Sequence, residues 1–133
     1  MATYVIFLPG DENAWAAATP EERKQGYAAH AEFARQLQAR GHQIVGGAEL
    51  THSREATVVR RSPSGEGTLI TDGPFAETAE QITGFYLIES DDRADLLDIC
   101  ADLVMAGETV ELRETTETTE TTDTTREPAG SPS

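Results

Sequence analysis

The sequence predicts a single α+β domain over residues 1–113 with an acidic, Thr-rich tail over 114–133. Three observations carry this. Two short segments are apolar on both faces, two capped stretches have helical periodicity, and apolar residues all but vanish after Arg113.

The first segment, Tyr4-Val5-Ile6-Phe7-Leu8, is β-favouring without alternation and is closed by Pro9-Gly10, as expected of an internal strand. Asp11 to Ala18 reads as a connection that Trp15 packs onto the domain. Thr19-Pro20-Glu21-Glu22 is a helix start: Thr caps, Pro fits the first helical position and Glu22 completes a capping box. That helix should run to about Arg40, with Gly41 as its stop. Tyr27, Phe33, Ala34 and Leu37 then share one stripe with His30 in its middle and Gly26 one turn earlier.

Ile44 to Leu50 reads as a strand in which Gly46-Gly47 suggests a bulge or a close backbone approach. Ala56 to Arg61 and Gly67 to Thr71 form a hairpin pattern, and Asp72-Gly73-Pro74 breaks the chain direction. Gly84 to Glu89 is the second segment apolar on both faces. Asp91 or Asp92 can cap a helix to about Ala106, ended by Gly107, and Thr109 to Arg113 alternates as a last strand. The order β-α-β-β-β-β-α-β is a ferredoxin-like plan with an extra hairpin strand. In that plan the two doubly apolar segments are the central strands, so pattern and topology agree.

The tail repeats a Glu/Asp-Thr-Thr triplet from Glu114 to Thr125, and Ala129 is its only apolar residue, so a solvated spacer is expected. Charge narrows the function. The formal net charge is −14, of which the tail holds −4 and the domain −10. Such a field repels phosphate backbones and anionic lipid, and no basic stripe offsets it, so nucleic-acid and membrane binding are not expected. The lone Cys100 lies among Leu96, Leu97, Ile99 and Leu103 as a small hydrophobe of a buried helix. With no leader-like or bilayer-length apolar run, a cytoplasmic location is the expectation. No spacing among His30, His42 and His52 resembles a metal set, so neither metal nor cofactor is expected.

The candidate chemistry centres on His30. An imidazole in the middle of an apolar stripe needs a partner, since an unpaired buried polar group costs about 1–3 kcal/mol. A carboxylate from a facing turn, Asp72, would fix one tautomer for general acid/base work; alternatively His30 is a satisfied core histidine. Asp72 also suits a plain Asp-Gly-Pro turn. Gly26 would leave room above the ring for a ligand. Arg23 either meets an anionic ligand or is a helix-surface base, and Glu77 is either a second carboxylate at the mouth or a solvated loop residue.

The run Thr71-Asp72-Gly73-Pro74-Phe75-Ala76-Glu77-Thr78, with Glu80-Gln81 and Gly84-Phe85-Tyr86-Leu87-Ile88, closely resembles the signature of the DGPF group of the YCII-related family. Asp11-Glu12 with Trp15, Pro20-Glu21-Glu22-Arg23, and His30 with Phe33 match that group too. Ala79 and Thr83 depart from it, standing where Lys and Gly are common. The resemblance implies a ferredoxin-like fold pairing into a dimeric α-β barrel, hence a homodimer. It also implies an active site whose His and Asp fall on His30 and Asp72, with Arg23, Gly26, Phe75 and Glu77 as candidate substrate-binding residues. Relatives in the wider superfamily act on small, often aromatic, substrates. The expected activity is proton transfer of lyase or isomerase type on an uncharged or weakly acidic organic molecule. The alternative is a non-catalytic ligand-sensing or regulatory protein, because many DGPF members lie near alternative sigma factors.

Overall fold

The computed structural model describes residues 1–116; the tail predicted as spacer lies, from 117 onward, outside the described residues. In chain order the elements are β1 (Ala2–Gly10), α1 (Glu12–Ala16), α2 (Pro20–Ala39), β2 (Gln43–Glu49), β3 (Thr57–Arg61), β4 (Thr68–Asp72), β5 (Gln81–Ser90), α3 (Arg93–Met105) and β6 (Glu111–Glu114). The main sheet is antiparallel in the order β2-β5-β1-β6. This is the ferredoxin-like arrangement, and the doubly apolar strands β1 and β5 occupy its centre.

One expectation is corrected. The hairpin adds no strand to the main sheet: β3 and β4 pair only with each other, as a separate two-stranded ribbon. Its outer face explains why. Val59 and Ile70 are directly opposite in register and remain 61% and 64% exposed, so nothing in the described chain covers them.

Local signals set the helices. Thr19 Oγ1 accepts the Glu22 N–H at 3.1 Å while Glu22 accepts the Thr19 N–H at 2.9 Å, completing the predicted capping box of α2. Asp92 accepts the Asp95 N–H at 3.0 Å and starts α3. The segment read as a connection contains a one-turn helix, α1, because Asp11 Oδ1 accepts from the N–H groups of Asn13 and Ala14.

Side chains alternate along the strands, so Tyr4, Ile6 and Leu8 of β1 and Ile88 of β5 point to one face. There they meet Phe33 and Leu37 of α2 and Leu96, Ile99, Cys100 and Leu103 of α3. Both helices therefore cover one face of the sheet. Burial pushes the Cys100 thiol up to about 11, which leaves it an inert core group at neutral pH. On the other face, Val5 and Phe7 stand opposite Leu87 and Phe85, half-buried, with no helix over them among the described residues. No described helix is long and apolar enough to cross a membrane.

A buried polar clamp joins the helix ends to the sheet. His42, 5% exposed, has Nδ1 2.8 Å from Ser90 Oγ and Nε2 2.8 Å from Asp95 Oδ2, and Asp95 also pairs with Arg40 at the end of α2. A carboxylate only accepts, so Nε2 carries the hydrogen and Nδ1 accepts from the serine. Despite its Ser-His-Asp composition this set is structural. Ser90 is 1% exposed and its Oγ already accepts the Asp92 N–H.

Candidate functional site: an imidazole between a carboxylate and a phenol

At one end of the sheet a solvent-open cleft of about 1260 Å³ lies between the first half of α2, α1, the end of β2 and the turn after α3. His30 projects into it from the middle of α2, as its place in the stripe predicts.

Its carboxylate partner is not Asp72. Nε2 lies 2.8 Å from Glu108 Oε2, and Nδ1 lies 2.7 Å from the Tyr86 hydroxyl. The Tyr86 ring is stacked on the imidazole, centroids 5.9 Å apart at 26°, and also meets Phe33 at a tilt, centroids 5.2 Å apart. Each partner is placed by local structure. Tyr86 is a helix-facing residue of central strand β5. Glu108 follows Gly107, whose φ of 112° lets the chain leave α3, and its N–H bonds to Leu103 O at 3.0 Å.

These contacts fix the protons. Glu108, as a carboxylate, must accept from Nε2–H, so in the neutral ring Nδ1 accepts and Tyr86 donates. The result is a line Glu108···H–Nε2, Nδ1···H–O Tyr86. Burial, reinforced by the Glu108 charge, pushes the Tyr86 phenol above its ordinary value and keeps its proton on oxygen. If Nδ1 takes a proton, the hydroxyl becomes its acceptor and can turn its own hydrogen toward the cleft.

The other candidate residues divide. Asp72 ends β4 on the ribbon, is exposed, and does not line the cleft; its backbone faces Thr57 across the ribbon. Phe75 is 80% exposed beyond the ribbon, with the Arg60 guanidinium 5.6 Å from its ring centre, and Glu77 is an exposed loop residue; neither lines the cleft. The expected His30–Asp72 contact is thus absent within the chain, because both ring nitrogens are already taken and Asp72 belongs to a ribbon that stands apart.

Arg23 and Gly26 do line the cleft, in roles other than those expected. The Gly26 space is filled by the Trp15 indole: a Cβ there would meet the ring at 3.2 Å. Arg23 donates to the carbonyls of Trp15 at 3.2 Å and Ala16 at 2.9 Å, with its guanidinium 5.6 Å from the centre of the indole. It is an internal strut for α1.

Two groups were given no role of their own in the sequence. Glu49 accepts from Trp15 Nε1 at 3.2 Å and from the Tyr27 hydroxyl at 3.1 Å, locking α1 and α2 to the end of β2. Glu12 is buried; it accepts the Ser53 N–H at 2.8 Å and the Ser53 hydroxyl. Burial works against the Glu12 charge, but these two bonds, helped by nearby His52 and Arg54, outweigh it and hold the carboxyl below its ordinary value. Among the described residues no group of three His, Cys, Asp or Glu side chains could hold a metal ion.

Fold and site together define a small ferredoxin-like α+β domain with an imidazole-bearing cleft at the end of its sheet. The chain belongs to the YCII-related family, whose domain model matches residues 2–119. It is also similar to an uncharacterized protein of Rhizobium meliloti (strain 1021), with 46% identity over 56 residues. That match covers 42% of this chain and 44% of the relative, so the alignment spans less than half of either.

Proposed function

We propose that the cleft binds a small organic molecule and that His30 moves a proton on it, with Glu108 rather than Asp72 as the orienting carboxylate. The observation that carries this is the partly buried imidazole, its side chain 22% exposed, held at both nitrogens by a carboxylate at 2.8 Å and a phenol at 2.7 Å on the wall of an open cleft. A ring so held keeps one tautomer, and the phenol hands its proton to Nδ1 as it takes one from a carbon acid. Positioned acid/base groups of this kind contribute about 10²–10⁴-fold to such steps. The reaction class is therefore a lyase or isomerase step. The homodimer belongs to the same proposal, since the sheet face bearing Val5, Phe7, Phe85 and Leu87 needs a cover.

The test is deuterium incorporation from D2O into a panel of small carbonyl compounds, followed by mass spectrometry. Wild type should label at least one compound, and His30→Gln and Tyr86→Phe should each slow that labelling by about 100-fold. A panel member that binds but is labelled equally by wild type and His30→Gln would overturn the proposal. It would leave the cleft as a ligand sensor, the role of a regulatory protein that does no chemistry.

A further inference from the structure

The Glu49 carboxylate is the unusual group of this cleft. Its two hydrogen-bond donors, the Trp15 indole N–H and the Tyr27 hydroxyl, are neutral, and no cationic side chain among the described residues makes an ion pair with it. The donors hold the charge in place without cancelling it. The same two rings meet edge to face, centroids 5.4 Å apart and interplanar angle 90°, so they form a corner with the carboxylate fixed beside it. The Tyr27 side of that corner is open, with the residue 52% exposed. A cation already uses the Trp15 ring, for the Arg23 guanidinium stands 5.6 Å from its centre.

The rest of the cleft has the same sign. Asp11, Glu12, Glu22, Glu80 and Glu108 line it besides Glu49, six carboxylates against the single guanidinium of Arg23, which donates to backbone carbonyls and keeps its charge. Low-dielectric walls focus such a field into the cleft, where it attracts cations and repels carboxylates. An uncharged or weakly acidic ligand, the expectation from sequence, gains nothing from this field.

We infer that the cleft selects an organic cation, an alkylammonium whose charged end sits in the Trp15–Tyr27 corner beside Glu49. Rings set at right angles with a fixed carboxylate suit an amine bearing methyl or methylene groups: the aromatic faces take the alkyl surface and the carboxylate takes the charge. The geometry also sets the length. Tyr27 and His30 are three residues apart on α2, hence neighbours one turn apart, with roughly 4.5 Å of rise between them. A ligand anchored at the corner therefore places a carbon two to four bonds from its nitrogen against His30 and Tyr86. This inference rests on the cleft being the ligand site and not on the proton chemistry of His30.

The experiment is titration of the full chain, by calorimetry and by NMR of the Trp15 indole resonance, with choline, its neutral isostere 3,3-dimethylbutan-1-ol, and phenylacetate. Choline should bind at least about tenfold more tightly than the alcohol, the alcohol more tightly than phenylacetate, and choline binding should weaken as salt rises. Glu49→Gln keeps an acceptor oxygen at an exposed position and should abolish the preference for choline over the alcohol while leaving the alcohol unchanged. Phe75→Ala, on an exposed residue outside the cleft, should bind choline as wild type does. Equal binding of choline and the alcohol, tighter binding of phenylacetate, choline binding indifferent to Glu49→Gln, or no binding by any of the three would each overturn the inference. Choline binding together with a panel member that binds but exchanges no faster with wild type than with His30→Gln would refute only the proton-transfer proposal, and exchange without choline binding only this one.

Discussion

A single missing Cβ does different work at two glycines, and the difference can be measured. At Gly26 it makes room for the Trp15 indole, and the backbone there is ordinary helix. At Gly47 the backbone itself is the constraint. Its φ is 148°, and a Cβ would stand 2.7 Å from the Phe85 carbonyl oxygen and 3.2 Å from Tyr86 Cα, both on the neighbouring central strand. Neither neighbour can yield without breaking the β2–β5 ladder. Gly47→Ala should therefore cost about 3 kcal/mol, the upper end of what strained backbone positions cost. Gly41→Ala is the control: its φ is 87° but nothing lies within 4 Å, so only the strain of about 1 kcal/mol remains. Urea denaturation of the two variants checks this, and equal losses would remove the clash argument. The Gly46-Gly47 pair was legible as a bulge, and the β2–β5 register does shift between Ile44 and Gly46. His30 was legible for the same kind of reason, being polar in the middle of an apolar stripe. Its partners were not. Tyr86 looked like ordinary strand core, and Glu108 is one acid among 24, distinguished only by where the C-terminus of α3 places it.

At the scale of elements, strands and helices could be read from the sequence because each carries its own period and caps. The assembly of the ribbon could not, because β3 and β4 hold only local pairing information and nothing in either states which neighbour they lack. The clamp of His42, Ser90, Asp95 and Arg40 was also invisible, since it joins the starts of β2 and α3 to the ends of β5 and α2 across 48 to 55 residues of chain. It carries a pH prediction. The hydrogen bond from His42 comes first in holding the Asp95 carboxyl below its ordinary value, burial opposes, and Arg40 adds to the lowering. A depressed folded-state value means the contribution is fully present above the ordinary carboxylate range, about pH 4, and is lost as pH falls through the lower folded value. Wild type should thus lose stability on acidification below about pH 4 more steeply than Asp95→Asn, whose melting temperature should be lower at pH 7 and flatter in acid. Parallel acid limbs in the two melting-temperature profiles would show that the clamp does not depend on the Asp95 charge.

At the scale of the whole molecule two tendencies oppose each other, and their balance predicts how the chain assembles. The face of the main sheet away from the helices presents Val5, Phe7, Phe85 and Leu87 in two adjacent registers, Val5 opposite Leu87 and Phe7 opposite Phe85. Apolar burial is worth about 25 cal/mol per Å², so pairing two such faces over the roughly 1,200–2,000 Å² of an ordinary interface is strongly favourable. Against it stands a net charge of −14 on each chain, which makes any two copies repel. Repulsion between exposed charges is screened over about 8 Å at 0.15 M salt and far less at low ionic strength, whereas apolar contact is indifferent to such screening. The dimer should therefore be a salt-strengthened one. Light scattering should give twice the 14.4 kDa chain mass at micromolar concentration in 0.5 M NaCl, with dissociation growing as salt is lowered toward 0.02 M. Phe7→Asp, which sets a charge in the middle of that face while sparing the helix-side core, should be monomeric at every salt concentration and keep its helical circular dichroism. A wild-type chain that stays monomeric in 0.5 M NaCl would mean that the half-buried face is satisfied by its own side chains, and the paired-sheet architecture would fall with it.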